Sequence, residues 1–240
     1  MQATIEAYCK KLKIGQGFYR GYKDINAETH EEFLLELLRR EVANRETARK
    51  ARLLKAAKFD VVKTFQGYSF DQIQIPPALS IEALKAVNFI ENKENLILYG
   101  PVGTGKTHLA TAIGVEACNR GYPVRFFRTA ALVNQLTDAK AKGELGKLLK
   151  QINQCALLIC DEWGYIPFEK DGAQLLFQVI SECYERRSVV ITTNLEFSKW
   201  NGVFYDEKMT TAIIDRLVHH SHLLVFTGQS YRLKHSTISS

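Results

Sequence analysis

The stretch LYGPVGTGKTHLA, residues 98 to 110, limits the fold more than any other part of this 240-residue chain. Gly100, Pro101, Val102, Gly103, Thr104, Gly105, Lys106 and Thr107 have the spacing GxxxxGK[ST]. An apolar, strand-like run precedes them and a helical pattern follows. Glycines there let successive backbone N–H groups close around phosphate oxygens without Cβ clashes. A helix beginning at Lys106 adds its positive dipole end. Lys106 supplies a point charge for the β and γ phosphates of ATP, and the Thr107 hydroxyl helps hold Mg²⁺.

The rest of the chain repeats the unit that such a loop needs. Strand-like segments fall at 95–100, 122–127, 155–161, 188–194 and 222–226, with helical patterns near 106–119, 130–152, 172–186 and 209–219. Gly121 is placed to end the first of these helices. The alternation predicts an α/β fold, a P-loop NTPase with a parallel sheet flanked by helices. Ahead of it, Thr29 and Glu32 have capping-box spacing and open a long run without Gly or Pro. Leu34, Leu38 and Val42 recur there every fourth residue, which predicts one buried stripe. A change of composition around KTFQGYSFDQIQIPP puts a boundary near residue 65. The expected division is a helical, basic domain over 1–65 and an ATPase domain over 66–240.

LLICDEWGYIPF, residues 157 to 168, runs from a buried strand into two adjacent acids. Asp161 is positioned to steady Mg²⁺ through its water shell. Glu162 is positioned to orient and deprotonate a water for in-line attack on the γ-phosphate. A small-molecule kinase sharing the phosphate loop has no use for such a base, so hydrolysis is the expectation. Asn194 ends a later strand in the same way. It either reaches the γ-phosphate or the attacking water, or it initiates a turn.

Bulk properties narrow the class further. The formal net charge is +6, of which residues 1–65 carry +5 (14 Lys or Arg against 9 Asp or Glu). That asymmetry suggests a polyanionic partner. No run approaches the roughly 18 apolar residues of a membrane span, and the N-terminus has no secretory pattern. The five cysteines contain no CxxC pair, which fits buried thiols in a reducing cytosol rather than zinc ligands. The histidines also lack metal spacing.

Gly100 to Thr107, Asp161-Glu162, Asn194 and Arg216 in AIIDRLVHH resemble the Walker A, Walker B, sensor and arginine-finger elements of AAA+ ATPases. More narrowly, CDEWGYIPF, YERRSVVITTNLEFSKW and DRLVHHSHLLVFTGQSYRLK are similar to the IstB family, the ATPase helpers of a class of bacterial insertion sequences. Bacterial replicative helicase loaders are more distant members of the same group. The resemblance implies a bacterial cytoplasmic protein that forms homo-oligomers on double-stranded DNA. It further implies that the protein remodels this DNA and recruits a separate transposase, with ATP hydrolysis as the switch. Arg216 would reach the nucleotide of a neighbouring subunit; taken alone, it is a helix-borne cation beside Asp215. Only 14 residues follow Phe226, too few for the helical lid usual in AAA+ proteins. Arg232 in SYRLK is a candidate to substitute in part for the sensor arginine of such a lid. Tyr68 and Phe70 are either adenine contacts or core residues.

Two basic elements are candidates for DNA contact. Arg45, Arg49, Arg52 and Lys55 stack on one helical face, either tracking phosphates or simply solvated beside Glu41 and Glu46. Lys140, Lys142, Lys147 and Lys150 form the second, which the resemblance places on the DNA-facing side. Neither contains a sequence-specific reader, so binding is expected to be largely independent of sequence. A helicase loader is the alternative reading, with a preference for single strands.

Overall fold

The computed structural model describes residues 1–165, 167–204 and 206–231; Arg232 lies outside them. The chain divides into two compact units, Met1–Arg52 and Leu53–Ser240, with the division falling inside one long helix. The sequence change near residue 65 comes later than this division. Leu53, Leu54, Phe59 and Phe65 pack against the core of the second unit.

The first unit contains α1 (Gln2–Lys11), α2 (Gln16–Gly21), a 3₁₀ turn over Tyr22–Asp24, and most of α3 (His30–Ala57), as far as Arg52. Thr29 caps α3, its hydroxyl accepting from the Glu32 N–H at 3.2 Å, while the Glu32 carboxylate turns back to the N–H of Glu28. The expected buried stripe is not the one that packs. Leu34, Leu38 and Val42 are 53, 48 and 56% exposed, and Leu37 is buried instead. The reason is a polar anchor next to Leu37. Buried Glu41 accepts from the Gly15 N–H at 2.9 Å and from Arg45 Nε at 2.7 Å, which turns the 37/41 face inward. Two apolar periodicities compete on this helix, and the hydrogen bonds decide between them.

In the second unit, β1 (Ile73–Gln74) and α4 (Ile81–Lys85) precede β2 (Asn95–Tyr99) and α5 (Lys106–Asn119). Then follow β3 (Val124–Arg128), α6 (Thr129–Ala141), α7 (Leu145–Ile152), β4 (Leu157–Asp161) and α8 (Lys170–Cys183). The described part closes with β5 (Ser188–Thr193), α9 (Glu207–Val218) and β6 (Ser221–Phe226). The single helix expected over 130–152 is two, because Gly143 takes a left-handed φ of 70° between α6 and α7. Gly121, at φ 88°, follows α5 as expected.

The sheet order is β1-β6-β2-β5-β4-β3, parallel except for β1 against β6. Strand residues alternate between two apolar layers. Leu96, Leu98, Ile159, Val190 and Leu224 meet the layer that includes α5, while Ile97, Leu158, Cys160 and Ile191 meet the layer that includes α6, α8 and α9. Covering both faces explains why these strands read as unbroken apolar runs. All five cysteines are buried and unpaired. Burial pushes the Cys155 thiol up to about 11 and those of Cys118 and Cys183 to about 12, as expected for small packed hydrophobes.

The strand order has one consequence for chemistry. β5 lies between β2 and β4, so the segments leaving the carboxyl ends of all three converge on one edge, where parallel α/β sheets bind ligands.

Candidate nucleotide site

The loop Gly100–Thr107 leaves β2 at that edge and feeds α5. Gly100 (φ 150°) and Gly103 (φ 82°) need their missing side chains: a Cβ would collide with the Phe226 backbone at the first and with Ser230 at the second. The Tyr231 N–H donates to the Gly103 carbonyl at 2.9 Å, so the chain after β6 lies against the loop. Gly105 accepts from the Tyr68 hydroxyl at 3.2 Å. Tyr68 packs in turn on His108 and Phe70, with ring centroids 4.9 and 5.2 Å apart. Both aromatics also pack against the core, and burial pushes the Tyr68 phenol well above its ordinary range. Lys106 folds its ammonium onto the Gly100 and Pro101 carbonyls at 2.7 and 2.6 Å. Thr104 braces the same turn by donating to the Pro101 carbonyl at 2.8 Å, and Val102 stands half-exposed at its tip.

Opposite the loop, the Thr107 hydroxyl donates to Asp161 Oδ1 at 3.0 Å. Asp161 is buried, and its backbone carbonyl accepts from the Thr129 hydroxyl at 2.7 Å. Thr192 on β5 ties the acids together. Its hydroxyl donates to Asp161 Oδ1 at 2.5 Å and accepts from the Glu162 N–H at 3.0 Å. The carbonyl of Thr192 takes the Trp163 N–H at 2.8 Å. Between these anchors Glu162 adopts a left-handed φ of 58°, which is costly for a residue with a Cβ. Trp163 is locked beneath it against Trp200 and Phe204. The outcome is a buried aspartate next to an exposed glutamate on strained backbone. Thr107 and Asp161 offer hard oxygen donors side by side, the donor set that suits Mg²⁺. Asn194 follows β5 directly and is exposed, on the strand between the loop and the acids.

Arg216 is not at this edge. It sits near the end of α9, and the next residue, Leu217, gives its carbonyl to the Asn95 side chain at the start of β2. The loop leaves the other end of that five-residue strand, about 16 Å away at strand rise. The guanidinium rests 5.1 Å from the Phe177 ring centroid and donates to the Ala212 carbonyl at 2.8 Å. The structure thus groups Lys106, Thr107, Asp161, Glu162 and Asn194, and leaves Arg216 at the opposite edge.

A sequence profile described as IstB-like ATP binding protein matches residues 21–239. The chain belongs to this family. It is 36% identical over 239 residues to a Geobacillus stearothermophilus protein named for ATP binding in insertion sequence IS5376, covering 98% of this chain and 95% of that one. It is 38% identical over 215 residues to a Pseudomonas aeruginosa protein named in the same way for insertion sequence IS21, covering 88% and 79%. Among solved structures, DnaA from Aquifex aeolicus bound to AMPPCP superposes with TM-score 0.54 at 20% identity, over 71% of this chain and 52% of that one. DnaI does so with TM-score 0.54 at 18% identity, over 71% and 90%. These likenesses bear on the fold alone, a mostly parallel α/β sheet carrying a phosphate loop. The chain spans about half of that DnaA chain.

One charged neighbour of the site carries no mark in the linear sequence. Arg128 ends β3 in register with Asp161 and pairs with Asp60 at 2.9 Å. The carboxylates of Asp60, Glu162 and Asp161 all raise its pKa, so it is a fixed cation beside the two acids. Thr192 is the second such residue. Only parallel pairing brings either residue to the acids, and a linear motif does not record pairing.

The two basic elements differ. Arg45 is a strut within the first unit, holding Glu41 and the Lys13 carbonyl, the latter at 2.9 Å. Glu41 is therefore no solvated neighbour of the basic stripe. Arg49, Arg52 and Lys55 continue along α3 on its exposed side. Lys140 pairs with Asp171 at 3.0 Å. Lys142, Lys147 and Lys150 are exposed around the α6–α7 turn, while Leu145, Leu148 and Leu149 are partly buried and pack against the core. Among the described residues no helix is long and apolar enough to cross a membrane.

Proposed function

We propose that this IstB-like protein hydrolyses ATP and couples that step to its hold on double-stranded DNA, acting as a helper for a separate transposase. The observation carrying the catalytic part is Glu162, whose strained backbone is pinned by Thr192 immediately after buried Asp161. Backbone N–H groups of the loop and Lys106 would hold the β and γ phosphates, with the ammonium turning from the loop carbonyls to the anion. Thr107 and Asp161 would hold Mg²⁺, which supplies charge neutralisation between the β and γ phosphates. Glu162 takes a proton from the attacking water, and Asn194 orients that water or the γ-phosphate. Arg216, remote from its own loop, serves the site of a neighbouring copy, so turnover depends on homo-oligomer formation.

The basic surfaces supply the DNA part. Arg49, Arg52 and Lys55 on α3, and Lys142, Lys147 and Lys150 around the α6–α7 turn, would contact phosphates and hold duplex without reading its bases. Relatives named for insertion sequences favour transposition as the setting. The test is Mg²⁺-dependent phosphate release with and without duplex, with single-stranded competitor in parallel. The expected result is hydrolysis stimulated by duplex and weakened binding as salt rises. Tighter binding to single strands would replace the transposition reading with helicase loading.

A further inference from the structure

Glu185, His219 and His220 come together in the second unit, at the sheet edge opposite the phosphate loop. Glu185 lies in the turn between α8 and β5, and the histidines lie in the junction between α9 and β6. Both connections enter the amino ends of parallel strands. No linear spacing marks the trio, because the fold and not a motif carries the acid to the histidines. One donor atom from each residue, an imidazole nitrogen or a carboxylate oxygen, lies within 4.8 Å of the other two. Ligands around a tetrahedral zinc ion stand about 3.4 Å apart at bonds of about 2.0–2.1 Å, a closure that rotation of exposed side chains supplies.

The backbone beneath the trio is already fixed. Asn95, buried at the start of β2, donates its main-chain N–H to the His220 carbonyl at 2.7 Å. Its side chain donates to the Leu217 carbonyl at 3.1 Å and accepts from the Val189 N–H at 2.9 Å, which ties the end of α9 to the start of β5. The Tyr184 hydroxyl meets His219 Nδ1 at 2.9 Å, and the two histidine rings stand 4.1 Å apart between centroids. A hydrogen bond at one imidazole nitrogen orients the ring and leaves the other nitrogen for a metal. Glu185 brings its carboxylate to 3.9 Å from His220 Nε2. That distance is too long for a hydrogen bond and suits two ligands that share an ion.

We propose that Glu185, His219 and His220 bind one zinc ion, with water in the fourth position. Two imidazoles and one carboxylate are a zinc donor set, whereas Mg²⁺ takes oxygen ligands. The ion ties the α8–β5 turn to the end of α9, the helix that carries Arg216 one turn before His219. No residue of the nucleotide site takes part, so the zinc site stands or falls separately from the ATPase reading.

Zinc titration of the full chain, stripped of metal by a chelator and free of any affinity tag, tests the site. The expected result is one equivalent of Zn²⁺ per chain and a higher melting midpoint with zinc than with chelator. His220→Ala and Glu185→Gln should each weaken binding by about 10-fold or more and shrink the zinc-dependent rise in midpoint. Both side chains are exposed, so the metal-free midpoints should stay near that of wild type. Absence of zinc binding, or unchanged affinity in either variant, overturns the inference. Binding should persist in Asp161→Asn; its loss there would put the ion at the nucleotide site and overturn the assignment. Co²⁺ in place of zinc reports the ligands, with visible bands expected and no thiolate charge-transfer band. A thiolate band would place the metal on a cysteine and equally overturn it.

Discussion

The loop edge of the sheet and the outer face of α3 are built in opposite ways. At the loop edge Asp161 is 2% exposed, and hydrogen bonds to three threonines fix both its carboxylate and its carbonyl. Such a site is preorganised: its dipoles are in place before a ligand arrives. On the outer face of α3, Leu34, Leu35 and Leu38 are about half-exposed, and Arg49 and Arg52 lie on the exposed side. Arg216 combines the two conditions. It is parked on Phe177 by its own fold, yet its proposed target lies on another copy. Under the proposed function, chemistry is set within one chain and its use between chains.

The largest effect that could break this contrast concerns Arg216. Arg216→Ala should cut turnover by about 10³-fold or more while leaving ATP affinity within a few-fold of wild type. Mixing it with Lys106→Ala protein should restore part of the lost rate, because each variant supplies what the other lacks. Absence of any recovery would mean that Arg216 acts within its own chain or not at all. Next come the exposed lysines. Lys147→Glu with Lys150→Glu should lower duplex affinity by about 10-fold or more near physiological salt. The slope of log affinity against log salt should flatten by about 2.

A smaller effect tests the preorganised edge itself. Thr192→Val removes the hydroxyl shared by Asp161 and the Glu162 N–H. It should cost about 1–3 kcal/mol in a denaturant melt and lower turnover by about 10-fold, with Lys106-dependent ATP binding retained. The smallest effect lies in the first unit. Burial pushes the Glu41 carboxyl upward, but the Gly15 N–H and the Arg45 guanidinium outweigh it and hold the group below the usual carboxylate range. Its contribution is therefore complete above the unfolded value near pH 4.3 and is lost as pH falls through the lower folded value. Thermal melts of wild type and Glu41→Gln should differ above pH 5 and converge as the pH drops below 4.

What the sequence made legible follows the same division. Gly100 to Thr107 and Asp161-Glu162 could be read because phosphate and metal chemistry requires those residue types in consecutive positions. The five long strands could be read because burial on both faces leaves unbroken apolar runs. Strand β1 could not, since two residues carry no periodicity and only β6 gives them a partner. Arg128 and Thr192 were hidden because register, not spacing, brings them to Asp161. On α3 the periodicity was clear but ambiguous. The Leu34, Leu38 and Val42 stripe was expected inside, and the Glu41 hydrogen bonds put the neighbouring face there. Gly143 divides α6 from α7 within what reads as one helical run, because most of the residues around it favour helix.

The central claim is that Glu162 prepares the water that attacks a triphosphate held at the loop edge. Single-turnover release of labelled γ-phosphate from wild type and Glu162→Gln, at equal ATP occupancy and with Mg²⁺ and duplex present, measures it directly. A loss of about 10²-fold or more in rate with ATP still bound is the predicted result. An undiminished rate at the same occupancy would contradict the assignment.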